Sequence, residues 1–213
     1  MLRKFALIIF TVNFLSGALY AEDILKKLGG DKGFMLTFQQ KSFYKFLKEP
    51  KISSGSLLYS PPDNFVWEIK GDNAGKVVSN GKKTWIFSPA EEQGDTPTVI
   101  VREKKYDGIQ SIIFGEKYDT SMLKEKDGLL ELTVKGGKDK GYLSATLRFK
   151  ESPSPKTRAG SDNANFSLDS IEFDDIENTK IVVKVKTFRK LSKNASTDTF
   201  IFRAPRGTRS IRE

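Results

Sequence analysis

The stretch from Leu57 to Phe87 constrains the fold of this chain more than any other. Both tryptophans, Trp67 and Trp85, lie in it, and two strong turn signals interrupt it: the Pro61-Pro62-Asp63-Asn64 corner and the Asn80-Gly81 pair. Proline fixes φ and offers no amide to a sheet ladder. Asn-Gly reaches the left-handed conformations that a tight hairpin needs. Apolar and polar residues alternate on either side of both turns, the period of strands with one apolar face. The predicted strands are Ile52 to Tyr59, with Gly55 as a bulge, then Phe65 to Ile69 with Phe65, Trp67 and Ile69 on one face. Val77-Val78 and Thr84 to Phe87 follow, joined through Asn80-Gly81.

The same period recurs along the rest of the chain. Phe34 to Phe46 reads as a long strand with Phe34, Leu36 and Phe38 on one face. Its second half mixes Phe43, Tyr44 and Phe46 with lysine, so inside and outside are less distinct there. Further strands are predicted at Thr98–Arg102, Met122–Lys126, Leu129–Val134, Tyr142–Phe149, Phe166–Asp174, Thr179–Arg189 and Thr199–Arg203, with a frayed basic tail after Pro205-Arg206-Gly207. Two segments carry helical spacing instead. Glu22 to Leu28 is a short amphipathic helix stopped by Gly29-Gly30. Asp107 to Gly115 clusters Ile109, Ile112, Ile113 and Phe114, which suits either ordinary core packing or a lid. Glu151 to Asn165 is rich in Ser, Pro, Lys and Gly and is expected to be a flexible excursion. Sequential hairpins of ten or eleven strands imply a mainly β (α+β) fold. Accumulated twist curls such an antiparallel sheet into a barrel or a half-open one, with two or three helices besides.

Composition removes most chemistry. The 213 residues contain no histidine and no cysteine, which excludes Cys/His nucleophiles, histidine bases, disulfides and the usual zinc sites. No Walker-type loop is present, and no cofactor or metal is expected. The carboxylates Asp174 and Asp175, with Glu172 and Glu177 nearby, are the one group that could be offered as an acid/base pair. They fall where a strand ends in a turn.

The N-terminus has a basic start (Arg3, Lys4), an apolar run from Phe5 to Leu15 and small residues up to Ala21, the pattern of a secretory signal peptide. Cleavage after Ala21 would remove 21 of 213 residues and leave 192 as a single domain, residues 22–213. The net charge would fall from +9 to +7 with the loss of Arg3 and Lys4. A basic exported protein can meet anionic lipid headgroups or acidic partners. No basic stripe with interleaved aromatics is evident, so a nucleic-acid partner is not expected.

Several segments together resemble a known family. They are Phe38 to Gln40; Gly55-Ser56-Leu57-Leu58-Tyr59, followed by Pro62 and Phe65-Val66-Trp67; Val78 to Pro89 with its Asn-Gly turn and Trp85; and Phe200-Ile201-Phe202-Arg203-Ala204-Pro205-Arg206-Gly207. In order and spacing they resemble the outer-membrane lipoprotein carrier family, the LolA-like periplasmic chaperones. The resemblance implies an unclosed antiparallel β-barrel whose concave apolar face is covered by helices. It also implies a soluble, monomeric, non-enzymatic periplasmic carrier of acylated lipoproteins. Such a carrier is loaded by an inner-membrane ABC transporter and unloaded to an outer-membrane acceptor. The alternative on the same fold is a module that binds free lipid or glycolipid or senses envelope stress. Family members commonly place a basic residue before the proline that leads into Phe-x-Trp, where it latches the lid. Here that place is Pro61, which has no side-chain donor.

The residues expected to line the acyl-chain cavity are Phe38, Leu57, Trp67, Ile69, Trp85, Phe87, Leu132, Leu147 and Phe173 from the sheet, and Ile112, Ile113 and Phe114 from the lid. Trp67 and Trp85 are expected to be the broadest contacts of one floor.

Overall fold

A computed structural model describes residue 28 and residues 31–71, 74–90, 94–103, 108–114, 124–152 and 165–213. The expected signal peptide, most of the first helix and nearly all of the 151–165 excursion lie outside these residues.

Twelve strands form one sheet: β1 (Phe34–Phe43), β2 (Lys51–Ser60), β3 (Asn64–Lys70), β4 (Gly75–Asn80), β5 (Lys83–Ser88), β6 (Thr98–Glu103), β7 (Lys124–Lys126), β8 (Leu129–Gly137), β9 (Tyr142–Ser152), β10 (Asn165–Asp175), β11 (Lys180–Lys190) and β12 (Arg209–Arg212). The order across the sheet is β12-β6-β5-β4-β3-β2-β1-β11-β10-β9-β8-β7. Two meanders, β1–β6 and β7–β11, are therefore stitched together by the antiparallel pairing of β1 with β11. The edge strands β7 and β12 do not pair with each other, so the sheet is open, as expected. The helix Gly108–Phe114 lies in the connection from β6 to the far edge strand β7.

The sequence expectation differs from the structure in four places, the first being that β1 ends at Phe43 and not at Phe46. Thr199–Arg203 is not a strand: Thr197–Phe200 is a 3-10 turn. The tail is not frayed, because Arg209–Arg212 pairs in parallel with Thr98–Val101 of β6. Its only apolar residue is Ile211, so alternation could not announce it. Gly55 is not a bulge, since the registers of β1–β2 and β2–β3 run through it unbroken. Register shifts lie instead between Thr37 and Phe38 against β11, and between β10 and β9 at Leu168/Ser170 and Asp174/Asp175.

The turns follow their residues. The Asn80 side chain accepts hydrogen bonds from the amides of Lys82 (3.0 Å) and Lys83 (2.9 Å), and Gly81 takes the left-handed φ of 79° that the hairpin requires. At the proline corner the Tyr59 hydroxyl donates to the Pro62 carbonyl at 2.9 Å, and the Asn64 amide donates to the Pro61 carbonyl at 3.3 Å.

The two faces of the sheet are built differently. The inner face carries one apolar cluster that runs from Phe34, Phe38, Phe65 and Trp67 in one meander to Leu132, Leu147, Ile171 and Phe173 in the other. On the outer face of β8–β11, ion pairs replace apolar packing. Arg148 donates from Nε to Glu131 at 2.6 Å and from Nη1 to Glu172 at 3.3 Å, and Lys180 lies 2.5 Å from Glu172. The Asp169 side chain is 2% exposed and sits between Lys150 (2.5 Å) and Lys184 (2.6 Å). Ser170 also donates to it at 3.0 Å.

Burial alone would push the Asp169 carboxyl up. Hydrogen bonds from Lys150, Lys184 and Ser170, with the Lys184 charge, outweigh it and hold the carboxyl at about 2, below its ordinary 3.8. A depressed native value stabilises the fold fully above the unfolded value, and that stabilisation is lost as pH falls from about 4 towards 2. At about 1.4 kcal/mol per unit, roughly 2 kcal/mol is involved. In urea denaturation, Asp169→Asn should lower stability at pH 7 by about 2 kcal/mol and flatten its decline between pH 4 and 2. An acid limb as steep as that of the wild type would place the effect elsewhere.

Candidate functional site

The inner face is the candidate site. Its chemistry comes from register, because residues directly paired across neighbouring strands share a face. One row runs Leu36, Leu57, Trp67, Val77, Ile86, Ile100 and Ile211. The next runs Phe38, Gly55 and Ile69. In the other meander, Leu132, Leu147, Ile171 and Val183 form a continuous row, with Val134, Ala145, Phe173 and Ile181 beside it.

The helix Gly108–Phe114 closes this face. Ile112 and Ile113 are buried in the same cluster as the sheet residues, and Ile109 packs against it. Leu28 joins the cluster from the N-terminal side. The Phe114 side chain lies outside what is described. The isoleucines thus pack with the core, the contact that both readings of their spacing require, and apolar packing contributes to holding the helix there. Full burial of one such side chain stabilises by about 1.5–3 kcal/mol.

Of the twelve residues expected to line one cavity, the structure brings nine together: Phe38, Leu57, Trp67, Ile69, Leu132, Leu147, Phe173, Ile112 and Ile113. Trp85 and Phe87 are not with them. Trp67 pairs with Val77, which pairs with Ile86, so Ile86 points the same way as Trp67. Trp85 pairs with Val78 and Val101, and Phe87 with Lys76 and Val99, all on the outer face. The two tryptophans therefore stand on opposite sides of the sheet, which corrects the single floor expected from sequence. The hairpin at Asn80-Gly81 sets this register, and alternation read strand by strand does not reveal it.

The outer-face aromatics have their own cover, the C-terminal segment. The 3-10 turn Thr197–Phe200 packs against β3 and β4, and Phe200 is buried. The Phe202 ring lies 5.4 Å from that of Phe87. A groove of about 490 Å³ remains beside Trp85, Val101, Phe202 and Ala204.

Two features at the centre of the inner face were not legible from alternation. The Phe38 ring stacks on Trp67, with centroids 4.5 Å apart at 28°. It does so in the space that Gly55 leaves open: a Cβ there would stand 2.3 Å from Phe38 Cζ and 2.3 Å from the Glu68 carbonyl oxygen. Glycine is thus required for close approach rather than for a bulge. The second feature is the Trp67 Nε1–H. It is buried and has no hydrogen-bond acceptor among the described residues. An unpaired donor in an apolar interior is costly, and an incoming carbonyl could satisfy it.

Polar groups on this face continue the row of Phe65, where Ser79, Thr84 and Arg102 pair in turn. Gln40, Ser42 and Ser53 are buried towards the end nearest the β1–β2 turn, and Gln40 donates to Ser42 at 3.2 Å. The carboxylates that could have suggested acid/base chemistry have structural roles. Asp175 accepts from the amides of Glu177 (2.9 Å) and Thr179 (2.7 Å), and Glu172 is paired with Arg148 and Lys180. Ser144 donates to Asp174 at 3.3 Å. No group of three metal-ligating side chains converges among the described residues.

Residues 30–189 match the family described as outer membrane lipoprotein carrier protein LolA. The chain belongs to the LolA family. Relatives named outer-membrane lipoprotein carrier protein include one from Francisella philomiragia, 24% identical over 196 residues, covering 84% of this chain and 90% of that protein. Another from Xanthomonas oryzae is 31% identical over 133 residues, covering 56% of this chain and 60% of the relative. A solved structure of an uncharacterized conserved protein from Thermus thermophilus shares the fold of this LolA-family chain. Its TM-score is 0.51 at 12% identity, and the match covers 91% of this chain and 97% of that one.

The Gly55–Phe38 contact gives a direct test. Gly55→Val should lower stability in chemical denaturation by more than about 2 kcal/mol, because both clashing neighbours are fixed. Adding Phe38→Leu should recover part of the loss. Full additivity of the two changes would show that they do not share the site.

Proposed function

We propose that this protein is a periplasmic lipoprotein carrier, exported through its N-terminal signal sequence, which binds the acyl chains of lipoproteins on the inner face of the sheet. The carrier takes them from an inner-membrane ABC transporter and delivers them to an outer-membrane acceptor. The observation that carries the reading is the helix-capped apolar inner face, with the Phe38–Trp67 stack and an unpaired Trp67 donor at its centre. Acyl chains would enter by displacing the helix contacts of Ile112 and Ile113. The exchange trades one apolar contact for another and needs no nucleotide in the carrier. The unpaired Trp67 Nε1–H would donate to an ester or amide carbonyl of the ligand. Gln40, Ser42 and Ser53 suit the polar part where the acyl chains join. Pro61 cannot act as the family's basic latch, so closure in this chain rests on other contacts, among them the packed isoleucines.

Two measurements test this. Protein purified gently from its native host should carry lipid or lipoprotein in native mass spectrometry, and the emptied protein should bind a triacylated peptide. An empty preparation that also ignores the acylated peptide would sink the reading. Trp67→Ala should weaken binding at least tenfold, whereas Trp85→Ala, on the outer face, should leave it unchanged. Each buried CH₂ contributes about 0.8 kcal/mol. Removing four methylenes from one bound acyl chain should therefore cost about 3 kcal/mol, roughly two hundredfold in affinity.

A further inference from the structure

The aromatic and lysine-rich stretch at the end of β1 is not absorbed by the acyl-chain site. The ladder of β1 stops at Phe43, and the chain turns through Tyr44 to Pro50, with the Leu47 amide donating to the Tyr44 carbonyl at 3.1 Å. Among the described large apolar side chains Phe46 is the most exposed, at 82%, with Phe43 at 40% and Leu47 at 38%. The Phe46 ring leans on Tyr44 with centroids 5.6 Å apart, and the Lys51 ammonium lies 6.0 Å from the Tyr44 ring centre. Lys41, Lys45, Lys48 and Lys51 are all exposed, and Glu49 is the only acid between residues 41 and 51, so this hairpin end carries +3.

The neighbouring turn extends the same rim. Phe43 pairs with Lys180 at the start of β11, so the β10–β11 turn, with Ile176 at 48% exposure, stands at the same end of the sheet. Exposed rings flanked in sequence by lysines are unfavourable in water, and among the described residues Phe46 stays 82% exposed and Phe43 40%. They match the headgroup boundary of an anionic bilayer. Apolar side chains enter there while ammonium groups stay at the phosphates.

We infer that the β1–β2 turn is a reversible docking element for an anionic lipid surface, with Phe46 and Leu47 as the inserting residues and Lys45 and Lys48 as the headgroup contacts. The element lies at the end of the sheet where Gln40, Ser42 and Ser53 interrupt the inner face. Docking would therefore bring that end to the membrane. Such a contact is weak by design of its size: two small apolar insertions and a few lysines give salt-sensitive, transient association rather than anchoring.

The test uses the protein expressed from its whole chain and recovered from the periplasmic extract, with vesicles and no acylated ligand. Its failure is thus distinct from failure of the carrier reading. Wild type should co-sediment with vesicles of equal parts phosphatidylglycerol and phosphatidylcholine at low salt. It should dissociate at 500 mM salt, a screening length of only a few ångströms, and ignore phosphatidylcholine alone. Phe46→Ser with Leu47→Ser should lower the bound fraction about tenfold. Lys45→Gln with Lys48→Gln should lower it by a similar factor or more, at roughly fivefold per lysine. All four side chains are exposed, so melting temperatures should not move. As a second probe, Phe46→Trp fluorescence should be quenched by brominated phosphatidylglycerol. Absence of wild-type binding, binding indifferent to both double variants, or an unquenched Trp at position 46 would each overturn the inference. So would a wild-type dimer that Phe46→Ser dissolves, or photo-crosslinks from position 46 to protein alone, since either would assign the patch to a protein partner.

Discussion

The antiparallel ladder between β1 and β11 joins the first strand of one meander to the last strand of the other. Each meander by itself is built from short-range hairpins, and neither could enclose a concavity. Their union places Phe38 and Trp67 in the same cluster as Leu132, Leu147 and Phe173, although the two groups are far apart in sequence. From this seam, parity assigns the inner-face residues of β2 to β6, while on β10 the irregularity between Leu168 and Ser170 resets it, so that Leu168 and Ile171 both join the inner cluster. The shift between Thr37 and Phe38 is tolerated because it falls inside the seam, leaving the β1–β2 register intact.

Much of this could be read from the residues. The strand periods of Phe34–Phe38, Phe65–Ile69, Ala145–Phe149 and Ile181–Val185 announce both the strands and the sides that turn inward, whereas at the start of β9 the period fails, since Tyr142 is buried and Leu143 is exposed; the isoleucine spacing at Ile109–Ile113 announces the helix. The errors share one physical origin: they concern relations between segments rather than properties of one. Trp85 alternates as cleanly as Trp67, and only pairing through Val77 and Val78 assigns them to opposite faces. Gly55 looks like a bulge because the ring that needs its missing Cβ comes from another strand. Arg209–Arg212 has no strand signature because it is a ribbon of arginine and serine whose pairing is supplied by β6. The aromatic and lysine mixture after Ser42 was ambiguous as a strand for a good reason, since the strand ends there.

A face that receives ligands creates a stability problem, because surface reserved for a ligand is surface the fold cannot rely on. The structure separates the two demands. Val78, Val99 and Phe200 are buried yet belong to no part of the inner cluster, and Phe87 with Phe202 extends this outer apolar layer. On the other half of the outer face, the Arg148 and Asp169 networks tie β8, β9, β10 and β11 side chain to side chain. These interactions cross several strands and involve none of the groups that an acyl chain would displace. The helix and the inner aromatics could therefore rearrange while the register of the sheet is held from behind. That division explains why the second tryptophan lies where it does. On the inner face Trp85 would have been one more contact for an acyl chain to displace; on the outer face it lines a groove with Phe202 and Ala204 of the C-terminal segment, apart from those contacts.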